Sequence, residues 1–214
     1  MPMCFTRRVY TALFAAQGAA IPRAGHAWSG AGYDQGMNSR MPLPPVYDRD
    51  ATAPLWQELA AVGVEPLTTP EQVDALLEKG SGTALLIVNS VCGCAAGQAR
   101  PGAMLALQHG VIPDRSVTVF AGVDRDAVER AREYMTGYPP SSPSIGLFKD
   151  RKLVFMLQRT DLQQMNEEQV ATALRGAFDA HCTRTGPSID PEQFRKIRPY
   201  QGCGSQIPLA SPRQ

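Results

Sequence analysis

Residues 83–91 form a largely apolar run, with Ala84-Leu85-Leu86-Ile87-Val88 at its centre, and the run stops at Cys92-Gly93-Cys94 followed by Ala95-Ala96-Gly97. A continuous apolar run of this length is the pattern of a strand buried on both faces, which belongs at the centre of a sheet covered by helices. Two thiols where such a strand hands over to a helix limit the chemistry to redox exchange or metal binding. A thiol at a helix N-terminus has its thiolate stabilised by unpaired N–H groups and the positive end of the macrodipole, which lowers its pKa. A metal would need further ligands from His109, His181, Cys182 or Cys203, and none lies at a recognised short spacing from the pair.

The flanking segments decide how that strand is used. A helix is expected from Thr52 to Val62, with Leu55, Trp56, Leu59 and Val62 on one face and Pro54 in its first turn. A second helix is announced by Thr69 as N-cap, Pro70 at the first helical position and Gln72 three residues after the cap. After the thiols, Ala95 to His109 reads as a helix that Pro101 should kink or split. Val117–Ala121 then repeats the buried-strand pattern, so the order is strand, thiol pair, helix, strand, a βαβ unit. Asp124 caps the next helix, with Ala127, Val128, Ala131 and Met135 at helical spacing and Gly137 as its stop. Ile145–Phe148, a polar turn at Lys149-Asp150-Arg151 and Leu153–Leu157 read as a β-hairpin. Asn166 caps a closing helix with Val170, Ala173, Leu174, Ala177 and Phe178 on its buried face.

This order defines an α/β fold of thioredoxin-like topology, a central mixed sheet flanked by helices, with Pro143 where that topology carries a cis-proline facing the thiol. The expected organisation is an N-terminal extension over residues 1–50, one domain over 51–182 and a tail over 183–214, in which Phe194 and Ile197 hint at a short helix and which either docks on the domain or stays mobile. Within the extension, Arg7-Arg8 and the apolar segment Val9–Ala16 have the order of a signal peptide but barely its length. A disordered extension, with Met41 as an alternative start, is the other reading.

Charge and cysteine usage narrow the class. The chain has 214 residues, and its 21 basic and 20 acidic side chains leave a formal net charge of +1 with no block of like sign, so nothing points to nucleic acid or a membrane surface. No apolar stretch approaches the roughly 20 residues needed to cross a bilayer. Five cysteines form an odd, scattered set, which suits a reducing, cytoplasmic compartment better than a disulfide-stapled secreted scaffold.

Asn89–Gly97, Ala99-Arg100-Pro101, Val117–Gly122, Pro140–Ser144 and Ala177–Cys182 together resemble the bacilliredoxin family, over about residues 52 to 182. The resemblance implies a thiol-disulfide oxidoreductase with no bound cofactor that removes bacillithiol, as co-substrate, from S-bacillithiolated client proteins. It also implies a flavoprotein bacilliredoxin reductase as partner. Cys92 would attack, and Cys94 or free bacillithiol would resolve the adduct. General disulfide isomerase activity uses the same thiols, and a Cys-x-Cys metal-binding protein is the alternative from a different class.

Gly93, Ser142, Pro143 and Arg100 are the candidate substrate contacts. Gly93 lacks a Cβ and tolerates backbone angles closed to other residues. The Ser142 backbone would pair with a bound peptide or adduct, or serve only as a turn. Arg100, one or two turns down the helix, would steer the carboxylates of bacillithiol, or else be a solvated surface charge. Cys182 reads as a buried, inert thiol and Cys203 as a tail residue or a third thiol.

Overall fold

The computed structural model describes residues 41–200 and 206–211. Arg7-Arg8, Cys4 and Cys203 lie outside the described residues, and with them the signal-peptide and third-thiol readings. A central sheet has the strand order β1-β4-β2-β5-β6, built from β1 (Glu65–Pro66), β2 (Thr83–Asn89), β4 (Arg115–Phe120), β5 (Ser144–Lys149) and β6 (Lys152–Leu157). The strands β1, β4 and β2 run parallel, and β5 and β6 run antiparallel to their neighbours. Every residue of β2 is buried, as its uninterrupted pattern requires. One apolar layer packs β2 and β5 against α3 (Ala96–Ala106) and α6 (Glu167–His181), and a second packs the opposite face against α2 (Pro70–Leu77) and α4 (Arg125–Tyr134). The fold is α/β, thioredoxin-like. Among the described residues no helix is long and apolar enough to cross a membrane.

Local chemistry accounts for most boundaries. Thr69 and Asn166 cap α2 and α6 in reciprocal capping boxes with Gln72 and Gln169. The hairpin turns at Asp150 and Arg151, both left-handed with φ of 47° and 69°, as a two-residue turn demands. The helix α1 (Arg49–Ala60) starts earlier than its apolar spacing suggests, because Asp48 accepts the Ala51 N–H. Asp124 stands at the N-cap of α4 but makes no capping bond; its carboxylate pairs instead with Arg49 at 2.9 Å.

The structure removes a split at Pro101 and decides between the readings of the terminal segments. The helix α3 runs unbroken through Pro101. Pro101 lies in the second helical turn, where a single missing N–H is outweighed by burial of this whole stretch against α6. The end of the segment assigned to the extension is folded, and of the two readings of the tail its first part follows the docked one. Val46 donates to the Gly122 carbonyl at 2.7 Å and Leu43 to Asp126 at 2.8 Å. After α6, β7 (Arg184–Thr185) pairs with β3 (Val111–Ile112), while Ile189, Phe194 and Ile197 pack on the core around α7 (Pro191–Phe194). Residues 206–211 return to the start of the domain, where Ala210 donates to the Val46 carbonyl at 2.9 Å and Asp48 to that of Pro208 at 3.0 Å.

The α3–α6 contact depends on Gly102. A Cβ there would stand 2.6 Å from Val170 Cβ and 2.9 Å from the Glu167 carbonyl. Alanine would gain about 1 kcal/mol of helix propensity, but the opposing carbonyl cannot rotate away, so overpacking dominates. Gly102→Ala is expected to lose a net amount of about 1–2 kcal/mol in urea denaturation.

Candidate active site

Strand direction gathers the site at one edge of the sheet. In the parallel pair, Asn89 of β2 lies opposite Phe120 of β4, so both strands end together and release the thiol loop and the Ala121–Gly122 turn side by side. In the antiparallel pair, Val88 lies opposite Ser144, which brings the entry to β5 to the same edge. The hairpin register places Leu157 opposite Ile145. The residues leaving β6 therefore return there too, Gln158 and then Arg159, the first residue of the short helix α5 (Arg159–Leu162).

The thiol loop is tied down by its own polar side chains. Asn89 donates from Nδ2 to the Leu55 carbonyl at 2.9 Å and accepts the Ser90 N–H at Oδ1 at 2.8 Å. Ser90 Oγ accepts the Cys92 N–H at 3.1 Å. Beneath them Arg100 donates from one guanidinium nitrogen to the Ser90 carbonyl at 3.2 Å and pairs through Nε with Glu58. Both side chains of that pair are only 4% exposed. The second Glu58 oxygen accepts the Tyr200 N–H at 2.6 Å.

Cys92 Sγ and Cys94 Sγ are free thiols 3.2 Å apart, Cys92 half-buried and Cys94 exposed. The Cys92 carbonyl accepts the Ala96 N–H at 3.2 Å, which makes the loop continuous with the first turn of α3. Burial alone would push the Cys92 thiol up. The N–H of Ala95, the Cys94 thiol, the N–H of Cys94 and the charge of Arg159 together outweigh it and hold its pKa below the ordinary thiol value. Arg159 reaches the sulfur at 3.6 Å and donates to the Ser142 carbonyl at 3.3 Å. Cys182, by contrast, is buried at the end of α6, and burial raises its pKa, as an inert thiol requires.

An open pocket of about 860 Å³ lies over the pair, lined among others by Cys92, Gly93, Cys94, Ser142 and Arg159. The Ser142–Pro143 bond is cis, with Pro143 buried and Ser142 half-buried. Gly93 sits at the exposed tip of the loop with φ outside the left-handed region. Arg100 is corrected: at 3% exposure it is neither a surface charge nor a pocket residue, because Glu58 and the Ser90 carbonyl claim its guanidinium from within. Sequence reasoning also missed Arg159, although the hairpin it describes returns the chain to the thiol edge. Among the described residues no group of three His, Cys, Asp or Glu side chains is placed to hold a metal. His109 is paired instead with Asp179 at 2.7 Å.

A dithiol with a favoured thiolate, beside a cis-proline at the edge of a thioredoxin-like sheet, defines a thiol-disulfide oxidoreductase. The chain belongs to the disulphide isomerase family, whose model matches residues 47–182, and its curated relatives are bacilliredoxins. One from Koribacter versatilis is 46% identical over 140 residues, 65% of this chain and 97% of the relative. Another from Cytophaga hutchinsonii is 47% identical over 134 residues, covering 63% and 98%, and one from Staphylococcus aureus is 50% identical over 125 residues, covering 58% and 86%. Among solved structures, oxidised mitochondrial thioredoxin 3 from Saccharomyces cerevisiae aligns with a TM-score of 0.39 and 14% identity over 56% of this chain and 98% of that one. The strand order, not that alignment, carries the description of the fold.

Two outcomes follow from these contacts. Because the Cys92 pKa is depressed, its reactivity is present above that pKa and lost as pH falls through it. Arg159→Ala is expected to move the pH profile of Cys92 alkylation upward and to slow alkylation roughly threefold at neutral pH, the scale of one exposed charge contact. Arg100→Met leaves the Glu58 carboxylate buried without its cation. It is expected to cost about 3–5 kcal/mol in urea denaturation, most of it recovered in the joint Glu58→Leu/Arg100→Met variant.

Proposed function

We propose that this protein acts in the cytoplasm to remove bacillithiol from client proteins that carry it as a mixed disulfide. The observation that carries the reading is the pair of free thiols 3.2 Å apart at the mouth of an open pocket, with the Cys92 thiolate favoured. The name bacilliredoxin shared by the relatives supports bacillithiol as the adduct.

In this scheme the Cys92 thiolate attacks the bacillithiol sulfur of the mixed disulfide. A Cys92–bacillithiol disulfide forms, and the electron pair of the broken bond leaves on the client sulfur as thiolate. Cys94 then attacks the Cys92 sulfur and releases bacillithiol, leaving a Cys92–Cys94 disulfide. Alternatively free bacillithiol attacks the bound bacillithiol sulfur and leaves as bacillithiol disulfide. Bacillithiol and a flavoprotein reductase would return the protein to its reduced form. The Ser142 backbone and Gly93 would line the adduct, with Pro143 keeping the entry to β5 against the thiols.

The family name favours a second reading, general disulfide isomerisation by the same pair. Incubating the reduced protein with a bacillithiolated client, and following bacillithiol by mass spectrometry, separates the two. Transfer to Cys92 is expected, abolished by Cys92→Ser and trapped as a long-lived adduct by Cys94→Ser. Absence of transfer, with scrambled disulfides still repaired, would leave isomerisation.

A further inference from the structure

The thiol pocket has a second half that thiol exchange itself does not use. Arg125, Glu129 and Arg132 all line it. At spacings of four and three residues they share one face of α4. Arg159 lines the thiol side, so the described lining carries three guanidiniums against one carboxylate, in a chain whose formal net charge is only +1. Positive charge is therefore concentrated at this pocket.

The individual contacts separate the three arginines. Arg159 is engaged with the Cys92 sulfur and the Ser142 carbonyl. Arg125 donates from one terminal nitrogen to the Pro44 carbonyl at 3.2 Å, a bond that tethers it at the rim and uses one of its five donors. Arg132 is different: its Nε is buried and has no hydrogen-bond partner among the described residues. An unpaired buried donor is a standing penalty, which an acceptor arriving beside the guanidinium would relieve. Glu129, one turn away and exposed, lowers the cost of that charge without bonding to the nitrogen. At about 860 Å³ the space falls within the range of about 300–1,000 Å³ typical of small-molecule pockets.

We infer that Arg132, assisted by Arg125, forms the anion-binding half of the thiol pocket and binds a carboxylate of the small thiol being removed, so that the enzyme selects anionic adducts over neutral ones. This rests on the thiol-exchange reading and deepens it, since bacillithiol carries carboxylates, but it does not require that bacillithiol be the adduct. Arg159 serves the sulfur, and the α4 arginines serve the charge at the far end of the adduct.

The test uses the full-length Cys94→Ser protein and two thiopyridyl mixed disulfides, one of mercaptosuccinate and one of mercaptoethanol. The Cys92 thiolate attacks the sulfur of the small thiol and forms the Cys92–adduct disulfide. The electron pair of the broken bond leaves on the thiopyridyl sulfur, which takes up a proton and is read by absorbance. The joint Cys92→Ser/Cys94→Ser variant supplies the background from other thiols, and each rate is divided by that of the same reagent with free dithiothreitol. The expected result is a normalised preference of about tenfold for the mercaptosuccinate adduct. That ratio should fall toward one in Arg132→Gln, persist largely in Arg132→Lys and shrink with added salt. Equal normalised rates at the outset would overturn the inference, as would an Arg132→Gln loss that is equal for both adducts. A preference seen only when an acidic client peptide carries the neutral adduct would assign the anion site to the client instead. Failure of both reagents to react at Cys92 would overturn thiol exchange itself, a result distinct from equal rates.

Discussion

Arg100 and Glu58 meet inside the domain, and the guanidinium continues to the carbonyl of Ser90, two residues before the reactive thiol. Burying such a pair is repaid only when the remaining polar atoms are also bonded. That condition explains its surroundings: Asn89 bridges Leu55 and Ser90, Ser90 holds the Cys92 amide, and the spare Glu58 oxygen takes the Tyr200 amide. The loop that carries the thiols is thus fixed from below by charge, and its upper side is left clear for chemistry.

The same loop receives its electrostatics from above. Strand direction brings the starts of α3 and α4, the entry to β5 and the exit of β6 to one edge. The amides of Cys94 and Ala95 are sequence neighbours of the Cys92 sulfur, whereas the guanidinium of Arg159 comes from 67 residues further along the chain. A local motif supplies the nucleophile, and a distant residue completes its environment.

What could be read from the sequence follows from this division. The buried strand, capping boxes, hairpin and thiol pair are written in local patterns, and the structure realises each of them. The cis Ser142–Pro143 bond followed from topology rather than composition. Arg100 was misread because helical spacing says which face a residue occupies, not that a carboxylate 42 positions earlier waits opposite it. The two-residue strands β1, β3 and β7 are too short to leave a periodic signal. In the tail Phe194 and Ile197 are legible as a short helix, but its Gly- and Pro-rich composition leaves open whether they dock, and it hides the third apolar anchor, Ile189.

The amide of Tyr200 lies 142 residues from the Glu58 carboxylate it bonds, beyond the Cys182 limit of the family match. During synthesis, a chain growing from its N-terminus exposes Glu58 and Arg100 from the ribosome long before Tyr200 emerges. The support beneath the thiols is therefore completed only after Tyr200 has emerged. Until then Cys92 and Cys94 belong to a nascent domain with one polar bond of its foundation unmade, and synthesis of a segment beyond the family match sets when the reactive loop becomes fully anchored.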